Sequence, residues 1–426
     1  MTIFIFVASL LGAMALGMPL AFSLLVSGVA LMLHLDSFDT QIVSQNLING
    51  ADNFPLMAVP FFMLAGELMN AGGMSRRIVN SAMVWVGHFR GGLGYVAVFA
   101  AIIMASLSGS AVADTAALAA VLMPMMRKAG YRMDRSAGLI AAGGIIAPVI
   151  PPSIGFILFG VIGGVSISKL FMAGIFPGIL MGLALIVTWW IVARNDDVQV
   201  APRVPMAEKL KVTANAFWSY LLAITIIGGM KMGVFTPTEA AVVAVVYSLF
   251  VGLFVYREIK VKDLYQLVLN AAKTSSIVMF LVAAALVSAW LITVANIPAQ
   301  IVTLMQPFID NKMLLMAMLM LLVMIVGTAL DFAPTVLILT PVLMPLVRQA
   351  GIDPVYFGVL FIINNAIGLL TPPVGTVLNV VCGVGKIPMH DVIRGVWPFL
   401  LSQVVVMSLL IIFPQLVMAP LRWMLS

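Results

Sequence analysis

The chain repeats itself at a spacing of 221 residues. Val121-Leu-Met-Pro124 returns as Val342-Leu-Met-Pro345. The same offset pairs Arg127 with Arg348, Ala129-Gly130 with Ala350-Gly351, Pro151-Pro152 with Pro372-Pro373, Gly164 with Gly385, Gly174 with Gly395 and Pro177 with Pro398, without a gap. Most shared positions are Gly and Pro, which an apolar helix disfavours in its interior. Low-complexity apolar sequence aligning with itself would not preserve them, so the match is an internal duplication. Any fold for this chain must contain one unit twice.

The unit belongs in a membrane. Of 426 residues, 63% are hydrophobic and 9% charged, which is not the composition of a soluble chain. The apolar runs are long enough to span a bilayer as helices, and the alternating ten-residue segments of a barrel are absent. The expected class is an all-α polytopic membrane protein. A single cysteine, Cys382, offers neither a disulfide framework nor a Cys/His metal site. No Lys or Arg precedes Arg76, which argues against a secretory signal peptide and keeps the N-terminus as a span. The net charge of +6 lies in short loops between apolar segments, where it reports orientation rather than a nucleic-acid partner.

Read in order, Met1 to about Ala15 and Leu20 to about Leu33 are two spans parted by Gly17-Met-Pro19. An acidic loop with Asp36, Asp39 and Asp52 leads to a third span, about Pro55 to Met69, and a loop with Arg76, Arg77 and Arg90. Gly91 to Met126 is interrupted by Ser108-Gly-Ser-Ala-Val-Ala-Asp114. Its two arms are short for crossings at about 1.5 Å rise per residue, and both ends are basic, so a re-entrant hairpin is expected. Ala137 to Gly164 can cross but carries Gly143-Gly144, Pro148 and Pro151-Pro152 at its centre, which makes a broken span. Leu170 to Val192 crosses again.

A polar linker at 194–212 separates the first repeat, 1–193, from the second, 213–426. The second predicts spans near 213–230, 240–256 and 275–295 and a hairpin over about 313–347 with its tip at 327–335. A broken span from Phe357 to about Val384, centred on Thr371-Pro-Pro-Val-Gly375, and a last span at about 395–418 complete it. Each copy then has five crossings plus one hairpin. Five is odd, so consecutive copies enter the membrane with opposite topology, as two inverted repeats.

Charge gives an independent test. Sixteen of the 22 Lys and Arg residues fall on one face of this topology, among them Arg76, Arg127, Arg203, Lys260 and Lys386; five, Lys169, Lys231, Lys312, Arg348 and Arg422, fall on the other. The basic face is cytoplasmic, which puts both termini outside, opens the first hairpin to the cytoplasm and opens the second to the exterior.

Irregular backbone at membrane depth survives only where protein buries it or it lines a cavity. Two hairpin tips and two Pro-Pro breaks in paired positions therefore point to a transporter whose site lies near the midplane. Around the first tip, Ser108, Ser110, Asp114 and Thr115, with carbonyls from Ala147 to Pro152, offer the hard oxygen ligands an alkali cation requires. In the second copy Gly327, Thr328, Asp331 and Thr335 face the carbonyls of Thr371 to Pro373, and Asn364, Asn365 and Thr376 are candidate hydrogen-bonding groups for substrate. Asp114 and Asp331 carry the strongest functional reading, because charge at membrane depth is expensive; Glu67 lies at a span end. His34, His88 and His390 are expected at membrane edges, so neither tip serine has a catalytic base and a membrane enzyme is disfavoured. No Walker-type phosphate loop occurs, and transport must draw on an ion gradient.

Ala65-Gly-Glu-Leu-Met69, Ser106-Leu-Ser-Gly-Ser-Ala-Val-Ala-Asp-Thr115, Ile150-Pro-Pro-Ser153, Thr236-Pro-Thr-Glu-Ala240, Leu339-Thr-Pro-Val-Leu-Met-Pro345 and Thr371-Pro-Pro-Val-Gly375 resemble the large membrane subunit of the tripartite ATP-independent periplasmic (TRAP) transporters over essentially the whole chain. The resemblance implies an elevator-type secondary transporter of the bacterial inner membrane, coupled to sodium (Na+). It also implies a small four-helix membrane subunit as partner and a periplasmic binding protein that delivers an organic acid. Ser108, Ser110 and the carbonyls of Ala147, Ile150 and Pro152 resemble one sodium site; Gly327, Asp331, Thr371 and Pro373 resemble the other. Asp114, Ser153, Asn364, Asn365 and Thr376 are the substrate-side candidates. The moving elements are expected at about 91–164 and 313–385 within a scaffold of the remaining spans. The chain starts at its first span, as an unfused large subunit does. Sialic acid is the first choice of substrate, with other sugar acids and C4-dicarboxylates as alternatives. A self-sufficient sodium- or proton-coupled anion carrier and a purely structural subunit are the competing readings.

Overall fold

The structure is a computed structural model that describes residues 2–194, 198, 200, 202–372 and 374–425, so the expected linker is described only in part and Pro373 lies outside the described residues. Among the described residues every regular element is helical. The first run comprises α1 (Thr2–Ala15), α2 (Leu20–His34), α3 (Thr40–Ala51), α4 (Ala58–Ala71), α5 (Met74–Val86), α6 (Gly92–Ser108), α7 (Ala111–Lys128), α8 (Met133–Gly144), α9 (Ile154–Gly163) and α10 (Ile167–Ala193). After α11 (Met206–Asn215) come α12 (Phe217–Lys231), α13 (Pro237–Phe250) with a π turn over Val251–Val255, α14 (Val261–Val294), α15 (Ile297–Ile309) and α16 (Lys312–Ala329). The chain ends with α17 (Phe332–Gln349), α18 (Pro354–Leu369), α19 (Thr376–Gly385), α20 (Met389–Ile412) and α21 (Gln415–Leu425).

The element boundaries repeat with the sequence. Shifted by 221, α7 falls on α17 end to end, and the two interrupted pairs, α8–α9 and α18–α19, break at equivalent places. In one respect the copies differ: the 34-residue α14 runs continuously where the first copy has α3, a short 3-10 turn at Phe54–Met57 and α4. Pro55 and the exposed Asp52 interrupt the first copy there, whereas Lys260 and Asp263 cap a helix that proceeds unbroken.

Several helices appear where sequence analysis places loops or nothing, among them α3, α5, α15 and, inside the expected linker, α11. α3 is capped by Asp39, whose carboxylate accepts from the Gln41 amide at 2.7 Å. In α5, the turn that carries Arg76 and Arg77 points both at Glu258, at 2.7 and 2.6 Å, while Ile78, Val79 and Ala82 are buried. α15 occupies the equivalent place in the second copy.

Among the described residues six stretches have the length and hydropathy of a crossing, 54–71, α10, α13 with its π turn, α14, α17 and α20, and α11 with α12 makes a seventh if that pair, bent by 56°, is one span. α1 and α2, expected as spans, have 14 and 15 residues, or about 21–23 Å at 1.5 Å per residue, short of a roughly 30 Å hydrocarbon core. α17 meets the test although expected as a hairpin arm; only Leu330 and Asp331 separate it from α16, against which it folds back.

The copies are interlocked. α9 packs on α17 and α19 on α7, while α8 meets α20 and α10 meets α18, so each broken span rests on elements of the other copy. Arg127 of α7 donates to the carbonyl of Gly385, the last residue of α19, at 2.7 Å. Arg348 of α17 donates to that of Gly163, the last residue of α9, at 2.7 Å. Reciprocal contacts of this kind are what a two-fold relation produces. A second assembly forms around α14, which receives α2, α3 and α4, with α13 packed on α4.

Candidate ion and substrate site

Local chemistry makes the first tip. α6 ends at Ser108, and Gly109 turns the chain at φ 63. A Cβ on Gly109 would lie 2.3 Å from the Pro152 carbonyl oxygen, so glycine is required by both torsion and space. Ser110 then caps α7, accepting from the Ala113 amide at 3.4 Å. Ser108 Oγ donates to Asp114 Oδ1 at 2.5 Å and accepts from the Ser110 amide at 3.2 Å. Asp114 is 1% exposed. Its Oδ2 and the Oγ1 of neighbouring Thr115 have no hydrogen-bond partner among the described residues.

The first broken span supplies the other wall. Between α8 and α9 the turns use the carbonyls of Gly144, Ile146 and Pro148. Those of Ala147, Ile150 and Pro152 receive no hydrogen bond among the described residues. All three residues are buried, and Pro151-Pro152 is a cis peptide. Ser153 is fully buried and caps α9, accepting from the Phe156 amide at 3.2 Å and donating to the Pro148 carbonyl at 2.5 Å.

The second tip repeats the backbone with other groups. Gly327 is buried against Gly368, whose added Cβ would meet the Gly327 backbone at 2.8 Å. Asp331 is exposed and caps α17 by position without a side-chain hydrogen bond. Thr328 and Thr335 bond back to carbonyls of Ile325 and Asp331, and Thr371 bonds back to Ile367 at 2.8 Å, as hydroxyls in apolar helices do. Asn364 donates to the Met320 carbonyl and Asn365 to that of Phe332 at 2.8 Å. The Oδ1 of Asn365 and the Oγ1 of Thr376 are buried without a partner among the described residues.

The structure thus brings Ser108, Ser110 and Asp114 together beside Pro152 and Ser153, with Ala147 and Ile150 in the turn that leads to them, and brings Gly327, Asn365 and Thr371 to another locus. A Cβ on Gly155, at the start of α9, would meet the Phe332 ring at 2.5 Å, which links the second tip to the first break. Asn364 spends its amide on packing α18 against α16. One neighbourhood escaped sequence analysis as a site: Ser108, Ser110 and Ala113 share a cavity of about 90 Å³ with Met63, Gly66, Glu67 and Asn70 of α4 and Ala271 and Thr274 of α14. The available signal was Glu67, a carboxylate within an apolar run.

Chemically, of eight buried side-chain atoms without partners among the described residues, four, on Asp114, Thr115, Asn365 and Thr376, lie on the hairpins and broken spans. An orphaned buried acceptor costs about 1–3 kcal/mol, and a hard cation takes such oxygens. The residues fit an alkali ion. No group of three His, Cys, Asp or Glu residues able to hold a metal occurs among the described residues.

Comparison with known proteins fixes the family. Residues 7–416 match the family model described as "Tripartite ATP-independent periplasmic transporter, DctM component". The chain is 56% identical over 426 residues to the 2,3-diketo-L-gulonate TRAP transporter large permease protein YiaN of Escherichia coli, covering 99% of this chain and 100% of that one. It is 38% identical to the sialic acid TRAP transporter large permease protein SiaM of Vibrio cholerae, over 95% of each. To the C4-dicarboxylate TRAP transporter large permease protein DctM of Pseudomonas aeruginosa it is 35% identical, over 94% of each. In fold it is similar to the YdaH transporter of Alcanivorax borkumensis, a crystal structure of unusual topology, with a TM-score of 0.65 at 15% identity and 90% of each chain covered. The chain belongs to the DctM family of tripartite ATP-independent periplasmic transporters and is a large permease, a multi-pass membrane component of a transport system.

Proposed function

We propose that this permease imports a sugar acid across the bacterial inner membrane by sodium symport. It works with a small four-helix membrane subunit and a periplasmic binding protein that delivers the acid. The observation that carries the sodium reading is the set of orphaned buried oxygens at the first tip, Asp114 Oδ2 and Thr115 Oγ1, and on the second broken span, Asn365 Oδ1 and Thr376 Oγ1, together with the unused carbonyls of Ala147, Ile150 and Pro152 in the first broken span. Sodium bound there pins the irregular backbone and places positive charge beside the substrate carboxylate, which no Lys or Arg near the tips would otherwise neutralise.

The two copies are inverted repeats with both termini periplasmic, supported by the reciprocal Arg127–Gly385 and Arg348–Gly163 contacts and by the asymmetric distribution of basic residues. The hairpins and broken spans, about 91–164 and 313–385, move as one body against the assembly around α14, in an elevator motion. Asp114, Ser153, Asn365 and Thr376 face the cargo or its ions.

For the cargo, identity of 56% to a diketogulonate permease against 38% and 35% to sialic acid and C4-dicarboxylate permeases favours 2,3-diketo-L-gulonate or a closely related six-carbon acid. Sialic acid is the second reading. The test is uptake of each labelled acid into proteoliposomes holding both membrane subunits, with and without binding protein and an inward sodium gradient. Uptake that needs both supports the proposal. Sodium-driven uptake without the binding protein points instead to a self-sufficient carrier.

A further inference from the structure

The interlocked copies leave two matched cavities, one at each end of the α7/α17 pair. The first, about 450 Å³, is lined by Pro341, Met344, Pro345 and Arg348 of α17 and by Ile162 and Gly163 of α9, with Asn46 and Asn49 of α3 and Trp290 and Thr293 of α14 opposite. The second, about 470 Å³, is lined by Ala120, Met123, Pro124, Arg127 and Lys128 of α7, and by Val384, Gly385 and Lys386 at the end of α19. At the offset of 221, Ala120, Met123, Pro124 and Arg127 become Pro341, Met344, Pro345 and Arg348, and Gly163 becomes Val384. The α7 and α17 walls of the two cavities therefore correspond, while the α3 and α14 wall belongs to the first alone. In the proposed topology the Arg348 cavity opens to the exterior and the Arg127 cavity to the cytoplasm.

Both cavities are cationic and neither has an acidic residue in its wall. Each arginine spends one N–H on a helix-terminal carbonyl of the other copy, and a guanidinium has five such donors. Neither has a carboxylate partner among the described residues. A site of this size with one planar guanidinium and a few amides suits a small polyhydroxylated acid: the carboxylate on the arginine, hydroxyls on Asn46 and Asn49. The tips carry carboxylates and no Lys or Arg, and each of these arginines is bonded to the end of a broken-span helix of the other copy, where it is a fixed positive group on the path of an acid.

We propose that the two cavities are carboxylate way stations, Arg348 with Asn46 and Asn49 holding the incoming acid outside, and Arg127 with Lys128 and Lys386 receiving it inside. This rests on the reading of the cargo as an organic acid. The outer station is half moving element and half scaffold, so it is disassembled as the hairpins slide; the inner station lies wholly on moving elements and travels with them.

The test has two arms on the purified complex of both membrane subunits. In the first, phenylglyoxal modification of Arg348 and Arg127 is followed by peptide mass spectrometry in the presence of D-gluconate, D-glucose or potassium chloride at matched ionic strength. Gluconate is expected to slow both modifications at least threefold while glucose and chloride do not. Absence of protection, or equal protection by glucose or chloride, overturns the proposal whether or not any acid is transported. In the second arm, Arg348→Gln, which keeps a donor for the Gly163 carbonyl, is expected to raise the external half-saturation of the transported acid about fivefold with the maximal rate within twofold. Arg127→Gln is expected to leave the external value unchanged and to raise the internal one in efflux. Two variants with a lowered melting temperature and unaltered half-saturation would show that the arginines only cap helices, which contradicts the proposal. Protection without uptake of any acid contradicts the transport reading and leaves the anion sites standing.

Discussion

At the first tip the carboxylate, Asp114, is sealed in protein at 1% exposure beneath the hydroxyl of Ser108; at the second, Asp331 is exposed and caps α17 without a side-chain bond. The backbones superimpose in sequence to the residue, yet Asp331 stands at the position of Ser110, and Thr335 at that of Asp114. The same exchange appears in the broken spans. Gly143-Gly144 of the first copy corresponds to Asn364-Asn365 of the second. Gly144 makes room for Thr115, whose Oγ1 lies 1.7 Å from where a Cβ would sit, whereas Asn365 fills the space and ties Phe332 down. Duplication preserved the helix breaks, which demand particular backbones, and left each break free to acquire its own oxygens.

Transplanting one copy's residue into the other breaks this comparison most severely. Gly144→Asn places a side chain on Thr115 in a fully packed region and is expected to abolish recovery of folded complex in size-exclusion chromatography. The reverse, Asn365→Gly, removes one hydrogen bond and one packed side chain at a cost of about 1–3 kcal/mol, read as a lowered melting temperature in a complex that still purifies. Next, Asp114→Ala is expected to reduce uptake to the level of empty liposomes, while Asp331→Ala, at an exposed position, retains measurable uptake with a raised sodium requirement; equal losses would erase the distinction between the tips.

Smaller effects sharpen the contrast. Ser108→Ala strips the donor from a buried carboxylate and should cost about 1–3 kcal/mol of stability. Thr335→Ala, which removes a hydroxyl bonded back to its own helix, should cost under about 1 kcal/mol; chemical unfolding of the two variants side by side checks the order. Smallest of all, Thr376→Val replaces an orphaned hydroxyl with a methyl of the same shape. Stability should stay within about 0.5 kcal/mol while sodium-stimulated uptake falls, and a variant that transports normally removes Thr376 from the site.

The hairpins and breaks were legible in the sequence because Gly and Pro interrupt apolar runs at repeated positions: the expected arms at 91–126 and 313–347 end where α6, α7, α16 and α17 end, within a few residues. α3, α5 and α15 were not, for a common reason. They are short, at 12 to 13 residues, and in α5 the arginines Arg76 and Arg77 read as a loop. α14 begins at Val261, well before the span expected from 275, because its first turns are polar and held by Lys260 and Asp263. Near the first tip, the structure places Ser108, Ser110, Asp114 and Ser153, all singled out by residue type, close together. What spacing alone does not disclose is which hydroxyls are already spent. Thr328, Thr335 and Thr371 bond to their own helices, whereas Thr115 and Thr376 do not, and that difference is set by rotamer and packing.

The central claim is that two unlike loci, the first tip and the second broken span, each hold sodium. Equilibrium binding of radiolabelled sodium to the purified complex of both membrane subunits tests it most directly, with wild type, Asp114→Asn and Thr376→Val compared. The account predicts saturable binding at more than one site in wild type, with one site lost in each variant. Absence of saturable binding in wild type, or variants that bind as wild type does, would contradict it.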